Sequence, residues 1–336
     1  MVNRSKNEKE NENEKGNEKA NEKELLTTSL KLLKDNLKVK KGEKILVIDD
    51  GGCKSVVNAI MKAGEKLGEK IDLRVKKVKI SKTRAHSAPI PEIKNEMIKS
   101  DIIIAPTAKS ISHSPETIIA RKKYSARVAS MPGITLELFL FGMKTDPKKI
   151  RGLNYRIYRC LKDSKFVNII TQSGTNLRVY TKNINFETGD CGDISKKGVL
   201  NNVPFGEVCG WVTKGVGKIV IDCWEKKIKP EDGAWIYIRR GKIVEWNKKA
   251  EVYVKNQKKA GECGLRIIEL GFGTNYMLKN PIGNILHDEK IYGTVHVAFG
   301  GHEPERKCPI HEDVILLKPS VWVDGIKIME NGRLIK

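Results

Sequence analysis

The chain has 336 residues, of which 39% are hydrophobic and 31% are charged. That length allows one large domain or two ordinary ones, and the apolar content excludes a wholly disordered protein. No apolar run approaches the roughly 20 residues of a membrane-spanning helix, and no signal-peptide core is present. Membrane insertion and secretion are therefore not expected, and the sequence predicts a cytoplasmic protein.

A formal net charge of +22 indicates either an acidic partner such as nucleic acid or a lysine-rich soluble surface. Along the sequence the lysines are spread out and are not interleaved with aromatic residues, so nucleic-acid binding is not predicted. The seven cysteines include no CxxC pair. We interpret them as reduced thiols of an intracellular protein, several of them in the core.

The first half of the chain alternates between apolar strands and helices. Residues 1–24 are almost all Asn, Glu and Lys and are predicted to form a disordered tail. A helix is predicted next from the spacing of Leu26, Leu30, Leu33 and Leu37. Strands are predicted at Lys44–Ile48, Leu73–Ile80 and Asp101–Ala105, and helices at 54–67, Pro91–Ser100 and from Ser114 onward. This order predicts an α/β domain over residues 25–150 with a mainly parallel sheet.

The second half has a different character, with strand pairs joined by tight turns. Hairpins are predicted around Ser173-Gly174 and Asp324-Gly325, and a further strand pair joins Trp235–Ile238 to Ile243–Trp246. Residues 151–336 are therefore predicted to form an α+β domain rich in antiparallel sheet.

The candidate chemistry lies in this C-terminal half, because four of the six histidines fall between residues 287 and 311. His296 lies in an apolar, strand-like run. His311 and Asp313 are two residues apart, so on a strand both side chains face the same side. Imidazoles and a carboxylate on one face can build a metal site. On spacing alone, ordinary turn and core histidines remain an equally good interpretation.

Two upstream segments each place a carboxylate beside glycines: Glu207 in Asn202–Val208 and Glu269 in Glu269–Asn275. With Gly293–Gly300 and the His-x-Asp pair, they form a series that resembles the thermophilic metallo-aminopeptidase family typified by aminopeptidase T. The resemblance covers most of the chain beyond the tail. Weaker matches to the same family occur at Leu37–Lys44, Ala126–Thr135 and Gly174–Leu177.

The resemblance implies two divalent ions, Zn, Co or Mn, that activate a water molecule to hydrolyse the N-terminal residue of a peptide. The matching ligands are Glu207, Glu269, His296, His311 and Asp313. The resemblance also implies a homodimer.

Two catalytic positions depart from the family pattern. The glutamate expected before the first histidine has its nearest counterpart in Glu289, two residues out of register. Glu303 replaces a tyrosine suited to stabilising an oxyanion, so either His302 or Tyr292 donates there or peptidase activity is weak or absent.

Two other functions compete with the peptidase. The dihydroxypyridine dioxygenases resemble the same family, and here His296, His311 and Asp313 would hold one Fe(II) as a two-histidine, one-carboxylate triad in a ring-cleaving enzyme. The other alternative is a non-catalytic basic binding protein.

Overall fold

The computed structural model describes residues 21–84, 87–302 and 306–335, apart from the side chains of His302 and Arg306. The predicted tail lies outside these residues except for 21–24, which are helical because the helix buries Leu25. The described chain divides into two compact units. The first contains the residues up to Met143 and the segment Ile194–Leu200, and the second contains Lys144–Asp193 and the residues from Asn201 onward.

The first unit is built on a largely parallel sheet. Helix α1 (21–31) continues as a π-helix over Leu32–Asn36. The strands are β1 (Lys44–Asp49), β2 (Arg74–Lys79), β3 (Ile102–Ala105) and β4 (Arg127–Ser130). The helices that follow α1 are α2 (Lys54–Ile71), α3 (Lys94–Ile98), α4 (Pro115–Lys122) and α5 (Leu136–Gly142). Every residue of β3 and β4 is buried, as is typical of a parallel sheet covered on both faces.

The helix start predicted at Ser114 is confirmed in detail. The Ser114 hydroxyl accepts the backbone N–H of Thr117, Pro115 occupies the first helical turn and Glu116 follows it. The first turn of a helix has N–H groups without partners inside the helix. Here the Ser114 hydroxyl accepts one of them, and Pro115 has no N–H that needs a partner. The strands predicted at Lys44, Leu73 and Asp101 are confirmed as β1, β2 and β3.

In its described residues, the second unit contains two antiparallel sheets and three α-helices; of the strands that follow, β8 belongs to the parallel sheet. The remaining strands in chain order are β5 (Phe166–Ile170), β6 (Asn176–Tyr180), β7 (Phe186–Glu187), β8 (Leu200–Asn202), β9 (Glu207–Trp211), β10 (Gly215–Ile221), β11 (Ala234–Arg239), β12 (Lys242–Trp246), β13 (Ile267–Gly273), β14 (Val295–His302), β15 (Arg306–Leu316), β16 (Ser320–Val323), β17 (Ile326–Glu330) and β18 (Arg333–Leu334). The helices are α6 (Pro147–Leu161), α7 (Glu251–Lys258) and α8 (Ile285–Asp288).

The strand order defines three sheets. The parallel sheet has the order β2-β1-β3-β4-β8, an eight-stranded sheet has the order β12-β11-β10-β6-β5-β16-β17-β18, and a five-stranded sheet has the order β15-β14-β13-β9-β7. The last two share one apolar core, which includes Val167 and Leu177 of the first and Leu270 and Val297 of the second. All the predicted hairpins are present, and the predicted fold class, α/β followed by α+β, is confirmed.

The prediction that all cysteines are reduced is wrong for one pair. Cys263, in a 3-10 helix over Gly261–Leu265, forms a disulfide with Cys308 on β15, and their Cα atoms are 5.9 Å apart. The chain between them contains three elements of the unit, so spacing in the sequence does not reveal this proximity. Cys191, Cys209 and Cys223 are buried free thiols, as expected. No helix in the described part of the chain is long and apolar enough to cross a membrane.

Candidate metal centre

One face of the five-stranded sheet collects all five predicted ligands. Alternation along the strands turns apolar side chains toward the core and the intervening residues to the opposite face. The residues on that opposite face include Glu207 of β9, Glu269 of β13, His296 of β14, and His311 and Asp313 of β15. The pairing sets Ala298 between Glu269 and Asp313, so the two carboxylates are separated by a small side chain.

A glycine makes room for the central imidazole. Gly271 pairs directly with His296, and a Cβ added at Gly271 would lie 2.0 Å from His296 Nε2. Its backbone does not require glycine, since its φ is not in the left-handed region. The close approach of the His296 ring therefore explains why residue 271 is glycine. The sequence has glycine directly after Glu269 and Leu270 because a larger side chain there would collide with His296.

Three side chains surround a point suited to a cation. His296 Nε2 lies 3.4 Å from Glu269 Oε1 and 3.5 Å from Glu207 Oε2. Ligand atoms of all three residues lie within 4.8 Å of one another, so these residues could hold a metal ion. In tetrahedral coordination with bonds of about 2.1 Å, two ligand atoms are roughly 3.4 Å apart. Neither ring nitrogen of the buried His296 has a hydrogen-bond partner among the described residues, which leaves Nε2 available to a metal.

A second histidine approaches the other oxygen of the same glutamate. His311 Nε2 lies 3.7 Å from Glu269 Oε2 and 3.6 Å from Asp313 Oδ2. The Nδ1 atom of His311 is 3.1 Å from the carbonyl oxygen of Gly301. Such a contact orients an imidazole so that its other nitrogen faces a metal. Glu269 thus faces a different histidine with each of its carboxylate oxygens.

Lys290 is a member of the cluster that the sequence analysis missed. Its ammonium nitrogen lies 2.7 Å from Glu207 Oε1, 3.0 Å from Glu289 Oε1 and 3.1 Å from Asp190 Oδ2, and its side chain is fully buried. A buried charge persists only when it is paired. Lys290 follows two acidic residues in a short polar run, which reads as an ordinary exposed turn, and Asp190 has no distinguishing motif.

Burial and mutual repulsion shift the titration of this acidic cluster. Burial, with repulsion from Glu207 and Asp313, raises the pKa of Glu289 to about 8 although Lys290 opposes the shift. Burial alone would lower the pKa of His296, but the carboxylates of Glu269, Glu207 and Asp313 outweigh it and raise that pKa to about 9. The carboxylates contribute to both shifts, and such an accumulation of buried negative charge favours a bound cation.

Two of the other candidate residues, Tyr292 and His287, have their contacts outside this cluster. Glu303 lies outside the described residues. The Tyr292 hydroxyl accepts the backbone N–H of Leu334. His287 pairs with Asp288 through a contact of 2.8 Å between Nδ1 and Oδ1. That histidine therefore has a structural partner of its own.

The sequence matches no family model and no curated protein. The fold, in contrast, is similar to that of solved structures, among them the following two. A 2,5-dihydroxypyridine dioxygenase from Pseudomonas putida aligns with a TM-score of 0.74 at 17% identity, over 93% of this chain and 96% of the other. Wild-type AmpT from Thermus thermophilus aligns with a TM-score of 0.67 at 14% identity, over 94% of this chain and 99% of the other. At such identities the likeness defines the fold.

Proposed function

We propose that the protein is a metallo-aminopeptidase that removes the N-terminal residue of a peptide with two divalent ions, Zn, Co or Mn. The observation that carries this proposal is the position of Glu269, whose two carboxylate oxygens face His296 and His311 separately. A carboxylate in that position suits a bridge between two ions. The fold similarity to AmpT supports the same assignment.

Each predicted ligand has a defined place in this proposal. Glu207 and His296 would hold one ion, His311 and Asp313 would hold the other, and Glu269 would contact both. When bound, such a pair of ions activates water and polarises the scissile carbonyl. Glu289 is the candidate general base, since burial brings its pKa to about 8, close to the working pH of a proton acceptor.

The test combines metal content with peptidase activity. Protein purified without chelators or an affinity tag should contain about two Zn, Co or Mn ions per chain and should hydrolyse aminoacyl p-nitroanilides. Glu269→Gln should lose both ions, whereas His311→Ala should lose one. Glu245→Gln, at an exposed position on β12, is the matched control and should keep both ions and full activity.

Two results would count against this function. If Glu269→Gln and Glu245→Gln retained the same metal content, Glu269 would not be a ligand. If the protein carried two ions but released no N-terminal residue from any of a panel of peptides, the reaction would be a different one.

A second candidate is a mononuclear Fe(II) oxygenase, which a different contact favours. The Lys290 ammonium lies 2.7 Å from Glu207 Oε1, so Glu207 already has a cationic partner in the chain itself. His296, His311 and Asp313 would then hold a single iron, and the fold similarity to the dioxygenase agrees with this arrangement.

Metal analysis separates the two candidates. One iron per chain, with oxygen uptake in the presence of a dihydroxypyridine, would favour the oxygenase. In that case Glu207→Gln should leave the iron content unchanged, whereas in a two-metal peptidase the same substitution should lower the metal content.

A further inference from the structure

The eight-stranded sheet has an outer face that the shared core does not use. Its inner residues, such as Ile169, Val179 and Ile219, are buried in the core. Strand alternation turns the intervening side chains outward. On the five consecutive strands β11, β10, β6, β5 and β16, the outward side chains are Trp235, Tyr237, Arg239, Val216, Lys218, Val220, Asn176, Arg178, Tyr180, Phe166, Asn168, Ile170, Ser320 and Trp322. We call these residues the outer face.

The outer face combines aromatic rings with cations in direct contact. The Arg178 guanidinium lies over the ring of Phe166, 4.6 Å from its centroid. The Lys218 ammonium lies 5.2 Å from the centroid of Trp235. Tyr180 is 44% exposed and pairs directly with Phe166 across the strands. Planar groups and positive charge therefore alternate along neighbouring strands.

The centre of the outer face is a depression of about 400 Å³. Its lining includes two asparagines, Asn168 and Asn176, and the two tyrosines Tyr180 and Tyr237. The amide of an asparagine can both donate and accept hydrogen bonds, which suits the edge of a nucleobase. Arg178 and Lys218 also line the depression and bring positive charge to it.

The charge of the outer face has one sign. None of its residues, all of which the structure describes, is Asp or Glu. Carboxylates border it at three places. Glu245 of β12 pairs with Tyr237 across the strands, and Asp324 accepts the backbone N–H of Phe166. Glu330 of β17 pairs with Lys327 at 2.7 Å. The whole chain carries +22, so its field attracts a polyanion toward such a surface.

We propose that the outer face binds single-stranded nucleic acid. Five strands span roughly 19 Å at the usual strand spacing, enough for a few nucleotides. Bases would stack on Tyr180 and Tyr237, the phosphates would pair with Arg178 and Lys218, and Asn176 would contact base edges. Single strands bind to proteins through this combination of stacking aromatic rings and a positively charged groove. The proposal is independent of the metal centre.

Fluorescence anisotropy of a labelled 12-nucleotide oligo-uridine or oligo-thymidine on the full-length protein tests the proposal. We expect binding that weakens linearly with the logarithm of salt concentration. The double variant Arg178→Gln/Lys218→Gln should lower the salt slope by about 1.4, because each lost phosphate contact removes about 0.7 for a single strand. Tyr180→Ala should weaken binding about fivefold or more through lost stacking.

A control variant separates the outer face from general positive charge. Lys34→Gln/Lys66→Gln changes the net charge by the same amount at two exposed positions of the first unit, and it should bind like the unmodified protein. Equal weakening in both double variants would overturn the proposal, as would undetectable binding at low salt. A duplex of the same length that binds as tightly as the single strand would also overturn it. Circular dichroism verifies that each variant is folded.

A second copy of the chain is the competing occupant of this face. Light scattering on the free protein distinguishes it, because Tyr180→Arg would break a dimer held through the outer face. If the protein were a dimer that Tyr180→Arg converts to a monomer, the proposal would fail. An unchanged mass in that variant, together with weakened oligonucleotide binding by Tyr180→Ala, would support it.

Discussion

A single glycine controls whether the central imidazole has room. Gly271→Ala would place a methyl group 2.0 Å from His296 Nε2, so the ring must move away from Glu207 and Glu269. We expect loss of metal binding and a decrease of about 1–3 kcal/mol in the free energy of unfolding from overpacking. Metal content by plasma mass spectrometry and urea denaturation measure the two effects.

Gly152→Ala is the matched control for this substitution. Gly152 lies within α6, its added Cβ would meet nothing within 4 Å, and its φ is not in the left-handed region. The Gly152→Ala variant should keep its metal, and its free energy of unfolding should rise by about 0.5–1 kcal/mol, because alanine is the better helix former. If Gly271→Ala kept its metal and its stability as this control does, the close approach of His296 to residue 271 would not be needed for metal binding.

Lys290 is expected to hold three carboxylates in place. Lys290→Met would leave Asp190, Glu207 and Glu289 buried without their common cation. Removing one partner of a buried ion pair costs about 3–5 kcal/mol. We expect the free energy of unfolding, measured by urea denaturation at neutral pH, to fall by this amount. Lys255→Met breaks an exposed pair with Glu251 and should leave the unfolding midpoint unchanged.

If Lys290→Met were as stable as Lys255→Met, the carboxylates would have found other compensation, and the importance assigned to Lys290 would be refuted.

His296 and Lys290 differ in how far the sequence reveals their burial. A histidine in an apolar strand is conspicuous, because burying it requires a partner. A lysine after two acidic residues resembles an exposed turn, so nothing in the sequence indicates that Lys290 is fully buried.

The individual strands and helices were predictable because each one depends on local patterns. Apolar runs predicted β1 and β3, and the Asp324-Gly325 turn predicted the pairing of β16 with β17. Which strands lie side by side was not predictable in the same way. The outer face shows the consequence. The predicted hairpin brings Phe166 near Arg178, but Lys218 becomes their neighbour only because β10 pairs with β6.

The disulfide between Cys263 and Cys308 should stabilise the strands that carry the metal centre. The two cysteines are 45 residues apart, and the enclosed chain includes β13 and β14. The chain-entropy model gives about 4 kcal/mol for a loop of that length. We therefore expect dithiothreitol to lower the melting temperature of the unmodified protein.

Cys263→Ser provides the control for the disulfide. This variant should melt at the lower temperature with or without dithiothreitol. If reductant lowered the melting temperature of the variant by as much as that of the unmodified protein, the effect would come from elsewhere, and the link between Cys263 and Cys308 would not be formed in solution. A thiol count on the denatured protein gives a direct check: five free thiols with the disulfide intact.

Each of the two compact units has a core of its own. The core of the first unit includes Leu46, Ile103 and Val128, and that of the second includes Leu270 and Val297, with no residue common to both. Composition predicted two kinds of structure along the chain. It did not indicate that Ile194–Leu200 belongs to the first unit, because this short segment has no unusual residues and its place depends on contacts distant in sequence.

Since all five candidate ligands lie in the second unit, a bound metal should stabilise that unit selectively. A ligand at one hundred times its dissociation constant stabilises the state that binds it by about 2.7 kcal/mol, which slows hydrogen exchange through global opening about a hundredfold. With added zinc, exchange should slow in β9, β13, β14 and β15 and remain unchanged in β1 and β3. Mass spectrometry of peptic fragments resolves these segments. Equal slowing in β1 would mean that metal binds elsewhere or that the units unfold together, and His296→Ala distinguishes the two because it removes only binding at the predicted centre.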